Sequence, residues 1–94
     1  MTRFARKVDL NQAEIVAALR ADGWEVRDMH KCGYGIYDLL VRKGGLRFWI
    51  EVKQPGEQLT PAEDELLEWI PGRVFVVQDA QQAVDLLAPF EREA

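Results

Sequence analysis

The sequence predicts a single α/β domain in which helices flank a mixed central sheet. Two observations predict this class. Three segments carry helix start and stop signals, and four shorter ones alternate or run apolar as strands do. Their order (helix, three strands, helix, strand, helix) is typical of a mixed sheet with helices on its faces. The length of 94 residues suffices for one hydrophobic core, so we expect one domain over residues 1–94.

The first predicted helix follows a short basic arm, residues 1–8. Asp9 or Asn11 can cap this helix, which continues to about Ala21, and Gly23 after its end is a stop signal. The next stretch, WEVRDM, alternates between apolar and polar residues and is predicted to be the first strand.

A later helix carries a complete set of start and stop signals. These are the N-cap Thr60, Pro61 at the first helical position, the capping-box residue Glu63 and the terminating pair Pro71-Gly72. The continuous apolar run RVFVVQ then predicts a strand covered on both faces. The stretch DAQQAVDLLAPF predicts a last helix, with Asp79 as its N-cap.

The stretches YDLLV and LRFWIEVK predict a hairpin joined by a two-residue turn at Gly44-Gly45. In that register Asp38 lies opposite Glu51, and Lys53 follows two residues later on the same face. The other face is apolar and is therefore predicted to face the core, because a shift of one residue would bury the charges instead. Its residues are Leu39, Val41, Phe48, Ile50 and Val52.

Two opposed carboxylates repel each other, so the Asp38 and Glu51 pair needs compensation. Lys53 alone could provide it as a structural salt bridge. A divalent cation could also provide it, since Mg²⁺ binds one or two carboxylates and keeps several of its waters. In the second case Lys53 could hold or help deprotonate an attacking water and neutralise charge on a phosphate. Both explanations remain open from the residues alone.

Charge is unevenly distributed along the chain. Residues 1–53 hold ten Lys and Arg against seven Asp and Glu, whereas residues 54–94 hold two against nine. Because the whole chain has a net charge of −4, any contact with a polyanion must use a local basic patch. The basic start lacks the long apolar segment of a signal peptide, and no run is long enough to span a membrane, so we expect a cytoplasmic protein.

Asp38, followed by Glu51-Val52-Lys53 and preceded by a helix bearing Glu14, resembles the motif of the PD-(D/E)XK nuclease superfamily. The predicted element order is similar to the restriction-endonuclease-like αβββαβ core of that superfamily, with a C-terminal helix added. From about Asn11 to Leu87 the chain resembles the small stand-alone VRR-NUC proteins, many of them carried by phages and bacteria.

The resemblance implies a role for each matching residue. Asp38, Glu51, the backbone carbonyl of Val52 and Glu14 would be the metal ligands, with Mg²⁺ as the ion and Mn²⁺ as a substitute. Lys53 would be the catalytic lysine. Glu14 has a second explanation, since it lies three residues after Asn11 and could close a capping box.

Two residues depart from the family pattern. Tyr37 stands where the motif usually has proline, at a position that shapes the strand entry and binds no metal. Glu63 stands where relatives often have glutamine, on a helix that the resemblance places near the catalytic site, so an acid there could alter phosphate or water contacts. Its position after Thr60 also suits a capping-box acid.

The function implied is a Mg²⁺-dependent DNA endonuclease acting as a homodimer on branched or structured DNA, as Holliday junction resolvases do. The alternative is a catalytically inactive nuclease fold that binds nucleic acid or protein. A third possibility is a small interaction protein with a buried ion pair. For DNA contact we predict the basic residues of the arm and of the hairpin ends, namely Arg3, Arg6, Lys7, Lys31, Arg42, Lys43 and Arg47.

Overall fold

A computed structural model of the chain describes residues 2–29, 37–70 and 72–91, with side chains from residue 11 onward within those ranges. The described helices and strands follow the predicted order. They are α1 (Thr2–Ala21), β1 (Glu25–Asp28), β2 (Leu39–Lys43), β3 (Leu46–Val52), α2 (Pro61–Leu66), β4 (Val74–Val77) and α3 (Ala80–Glu91). The fold is therefore the predicted mixed α+β architecture with a C-terminal helix.

Helix α1 begins earlier than predicted. It starts at Thr2, so Asp9 and Asn11 lie inside it, and the residues predicted as an arm from position 2 to 8 are helical. Both the predicted N-cap and the predicted Asn11 capping box are wrong for this reason. The Ala, Arg, Lys and Leu residues of the first turns favour helix, and the Asn11 side chain instead donates a hydrogen bond of 2.7 Å to the carbonyl of Gln78.

The end of α1 is as predicted. Gly23 has a φ of 96°, a conformation that glycine adopts without the steric penalty of a side chain. Its N–H donates to the carbonyl of Arg20, and the N–H of Trp24 donates to the carbonyl of Leu19, both at 3.0 Å. These two bonds form a Schellman cap, which turns the chain into β1.

Helix α2 is shorter than its signals predicted. Thr60 and Glu63 form the predicted capping box, but the α-helix ends at Leu66 rather than at Pro71-Gly72. Beyond it, the N–H groups of residues 67–69 donate to carbonyls three residues back instead of four. Such tighter turns are common where a helix ends.

The four strands form one sheet in the order β1-β2-β3-β4. Strand β2 pairs antiparallel with β1 on one side and with β3 on the other, whereas β3 and β4 pair parallel. Lys43 pairs with Leu46 and Leu39 with Ile50, around a turn in which Gly44 has a φ of 57°. The predicted hairpin register is therefore confirmed.

One face of the sheet carries the core. Helices α1 and α3 contact each other, and they also contact β1 and β4 respectively. Every hairpin residue predicted for the core face is buried, and α1 and α3 add Ile15, Leu19, Ala83 and Leu87. No described helix has the length and apolar character needed to span a membrane.

The opposite face of the sheet is less covered than predicted at β4. Val77 is fully buried, but Val76 is 41% exposed, so the expectation of a strand covered on both faces is wrong. The reason is position, because β4 lies at an edge of the sheet and the short α2 leaves part of its outer face open.

The aromatic centre of the core gives a test of this packing. The Phe48 ring lies 4.9 Å from Phe90, 5.3 Å from Phe75 and 6.2 Å from Trp24 between ring centroids. Phe48→Ala should therefore lower the free energy of unfolding by about 3–5 kcal/mol, measured by urea denaturation. As a matched control, Trp69→Ala removes an aromatic side chain that is 76% exposed and should change it by less than about 0.5 kcal/mol. Equal losses in the two variants would contradict this packing.

Candidate functional site

The predicted acid pair meets at the open end of the hairpin. Asp38 directly precedes β2, and Glu51 is near the end of β3. The backbone N–H of Asp38 donates to Oε1 of Glu51 at 3.2 Å. In return, the backbone N–H of Val52 donates to Oδ2 of Asp38 at 2.9 Å. Each carboxyl group is thus held by the strand that carries the other, and the predicted juxtaposition is present.

Lys53 joins this pair through Glu51. Its ammonium Nζ lies 3.2 Å from Oε2 of Glu51 and 3.0 Å from Oε1 of Glu63. The Lys53 side chain is 11% exposed, and Glu51 as a residue is 3% exposed. The lysine is therefore a largely buried cation between two carboxyl groups, one of which the hairpin register could not predict.

Glu63 reaches the site because α2 begins beside it. Its Oε1 accepts the backbone N–H of Thr60 at 2.8 Å, while its own N–H donates to the Thr60 hydroxyl at 3.2 Å. The hydroxyl of Tyr37 donates to the backbone carbonyl of Glu63 at 2.5 Å. The capping box and the ion pair with Lys53 thus share one carboxylate, and Tyr37 attaches the start of α2 to the strand entry.

The surroundings of the two glutamates shift their pKa values in opposite directions. Desolvation, a hydrogen bond with Glu63 and the charge of Asp38 raise the pKa of Glu51 to about 8. Burial also acts to raise the pKa of Glu63, but hydrogen bonds from Glu51, from the Thr60 amide and from Lys53 outweigh it and lower that pKa to about 2. At neutral pH, Glu51 is therefore a neutral acid that donates to an ionised Glu63.

The two remaining groups of the cluster are also shifted. Burial raises the pKa of Asp38, against the lowering effect of its bonds to Val52 and Glu51. For Lys53, burial acts to lower the pKa, but hydrogen bonds to Glu63 and Glu51 outweigh it and raise the pKa. The lysine is thus fully charged at neutral pH.

The donor set fits a divalent cation that needs few protein ligands. Among the described residues, no group of three His, Cys, Asp or Glu side chains is arranged to hold a metal. Asp38 and Glu51 do provide two adjacent carboxyl groups, and Mg²⁺ is commonly held by one or two carboxylates plus water. Because burial and repulsion keep Glu51 protonated, a cation there would take the place of its proton. The backbone of Val52, the further predicted ligand, adjoins Asp38.

Glu14 lies on the exposed surface of α1. Among the described residues, no hydrogen bond or ion pair joins it to Asp38 or Glu51, so its predicted role as a ligand stays a prediction.

The predicted DNA contacts have varied surroundings. Arg42 donates two hydrogen bonds, of 2.6 and 2.7 Å, to Glu25. Lys43 is half-buried between the carbonyl of Asp22, at 2.7 Å, and the carboxylate of Glu91, at 2.5 Å. Both have structural partners, and the exposed Arg47 donates a longer hydrogen bond, of 3.3 Å, to the carbonyl of Gly44. The side chains of Arg3, Arg6 and Lys7 and the whole of Lys31 lie outside the described residues, and these contacts stay predictions.

Comparison with known proteins does not test the nuclease resemblance. No protein-family model, no curated protein and no solved structure matches this chain. The assignment of a function therefore depends on the geometry of the cluster formed by Asp38, Glu51, Lys53 and Glu63.

The raised pKa of Glu51 predicts a specific pH dependence of stability without metal. Between its ordinary value of 4.5 and about 8, the unfolded chain releases a proton that the folded chain keeps. The free energy of unfolding should therefore fall as pH rises through this window, by at most about 1.4 kcal/mol per pH unit for one proton. Asp38 acts in the same direction, whereas the lowered pKa of Glu63 adds stability only as pH rises from about 2 to 4.5.

Thermal unfolding in EDTA from pH 5 to 8 measures this effect. Glu51→Gln replaces a neutral acid by a neutral amide of the same shape, so it should preserve stability at pH 5 and flatten the decline towards pH 8. A wild-type decline that persists unchanged in Glu51→Gln would show that another group causes it.

Proposed function

We propose that this chain is a metal-dependent DNA endonuclease that hydrolyses phosphodiester bonds in branched or otherwise structured DNA. The observation that carries the proposal is the interlocked pair of Asp38 and Glu51, with the Lys53 ammonium 3.2 Å from Glu51. Two carboxyl groups that can share a cation, next to a buried cationic side chain, form a common arrangement for phosphoryl chemistry. The resemblance to PD-(D/E)XK nucleases points to the same three residues.

Each residue has a distinct task in this proposal. Asp38, Glu51 and the carbonyl of Val52 would hold Mg²⁺, which supplies an activated water and neutralises charge on the phosphate. Lys53 would orient the attacking water and stabilise the negative charge that develops on the phosphate oxygens. Tyr37 and the capping box of α2 keep Glu63, and through it Lys53, at a fixed position.

One observation favours a second candidate, a nuclease fold that binds nucleic acid or protein without turnover. Glu63 forms an ion pair with Lys53 at 3.0 Å, and its lowered pKa keeps it ionised. A lysine held in this way between two carboxyl groups is satisfied without a substrate.

The VRR-NUC resemblance further suggests a homodimer, which size-exclusion chromatography with light scattering would detect.

Cleavage assays on supercoiled, single-stranded and four-way-junction DNA separate these candidates. With Mg²⁺ or Mn²⁺, the wild type should cleave, and EDTA should stop it. Asp38→Asn and Glu51→Gln should each abolish cleavage, because each removes one of two carboxylates. Lys53→Met should lower turnover by about two orders of magnitude or more while DNA binding persists.

The matched control is Asp85→Asn, which alters an exposed acid of α3 whose carboxylate accepts a hydrogen bond from Gln81, away from the cluster. It should cleave as the wild type does. Unchanged cleavage in Asp38→Asn and Glu51→Gln would reject the proposed site. If neither the wild type nor any variant cleaves DNA while DNA binding is intact, the second candidate is favoured.

A further inference from the structure

The outer face of the sheet, opposite α1 and α3, contains two adjoining grooves. They have volumes of about 470 and 650 Å³ and share the side chains of Leu40 and Arg47. The first extends over β1, and the second extends towards Ile70 and Arg73 beyond α2. Together they form one continuous surface across the hairpin, which we call the outer groove.

The outer groove is cationic although the chain is acidic. Among the described residues, four arginines and one glutamate line it, namely Arg27, Arg42, Arg47, Arg73 and Glu25. Glu25 compensates Arg42. Arg47 is exposed, belongs to no ion pair among the described side chains, and donates a hydrogen bond of 3.3 Å to the carbonyl of Gly44. The Arg73 guanidinium is engaged elsewhere, because it lies over the ring of Phe48, 5.6 Å from the ring centroid, on the core side of the hairpin. Against a net charge of −4 for the whole chain, this local positive charge favours an anionic ligand.

An apolar floor lies between these arginines. Leu40 and Trp49 are paired across the hairpin and are only partly buried, and Ile70 lines the same groove. The Trp49 ring is supported from one side by Tyr37, at 6.1 Å between centroids. A supported indole beside guanidinium groups suits a ligand with flat aromatic rings joined by negative charges.

The outer groove leads to the acid cluster. Leu40 lies two residues from Asp38, and Trp49 lies two residues from Glu51, so all four side chains lie on one face of the hairpin. Two residues along a strand span about 7 Å. A polymer lying in the groove would therefore bring a neighbouring phosphate towards Asp38 and Glu51.

We propose that the outer groove binds an unpaired stretch of DNA strand, with a base against Trp49 and Leu40 and a phosphate at Arg47. A duplex hides its base faces in the stack, so it cannot use the indole in this way. This inference depends on the proposed function only for the choice of DNA as the polymer. It adds that the substrate of the cluster contains unpaired nucleotides.

Fluorescence anisotropy in EDTA tests the proposal without turnover. Three labelled probes of equal length are compared on the wild type: single-stranded oligothymidine, the same strand with abasic sites throughout, and a duplex. Oligothymidine should bind roughly tenfold or more tightly than the abasic strand, the fold-change expected from one stacked base, and more tightly than the duplex. Equal affinity for oligothymidine and the abasic strand would overturn the proposal, and no binding of either strand would overturn it in favour of a protein ligand.

Matched variants locate the contact. Trp49→Leu should weaken oligothymidine binding by roughly tenfold. Trp69→Leu, which alters an exposed tryptophan outside the groove lining, should leave it unchanged. Arg47→Gln should weaken binding of both single strands and reduce the salt dependence by roughly 0.7 units of slope. An affinity for oligothymidine unaffected by Trp49→Leu and Arg47→Gln would overturn the assignment to this groove.

The probe comparison uses the wild type, so it holds even if Trp49→Leu folds poorly. The two proposals can fail separately. If the protein prefers unpaired strands but never cleaves DNA with Mn²⁺, the nuclease assignment fails and the assignment of the outer groove to unpaired DNA remains.

Discussion

The ammonium group of Lys53 lies between the carboxyl groups of Glu51 and Glu63, with Asp38 beside Glu51. Three acids and one lysine in a largely buried space cannot all be ionised without a large desolvation penalty. The cluster resolves this by keeping a proton on Glu51. Three carboxyl groups against one ammonium group leave an excess of two, which a divalent cation could balance, and this excess is the basis of the functional argument.

The rest of the fold holds those four side chains at their positions. The two-residue turn at Gly44-Gly45 fixes the register that brings Asp38 to Glu51, and the apolar face of the same hairpin anchors that register in the core. Helix α2 contributes Glu63 through a capping box, so a signal that begins a helix also places a charge. Stability and the chemistry of the cluster therefore depend on the same contacts.

Sequence reasoning could predict what depends on local periodicity and turn chemistry. The hairpin register, the Thr60 capping box and the Asp79 cap follow from residues close in the chain, and the structure contains all three. These local signals could not predict the Glu63 contact with Lys53, because that depends on the path of the chain between β3 and β4. Only the family resemblance placed Glu63 near the site. The start of α1 was misplaced for a similar reason. Asn11 has the chemistry of a cap, but a distant carbonyl, that of Gln78, satisfies its side chain within the helix.

The most direct test of the account is titration of the metal-free protein with Mn²⁺ by isothermal calorimetry. If Asp38 and Glu51 form a cation site, the wild type should bind a single ion per chain, and Asp38→Asn and Glu51→Gln should each weaken binding by roughly tenfold or more, the range expected when a metal site is disturbed. Asp85→Asn should bind as the wild type does. The account would be contradicted if the wild type did not bind Mn²⁺, or if both cluster variants bound it as tightly as the wild type does. The cluster would then be a structural ion pair.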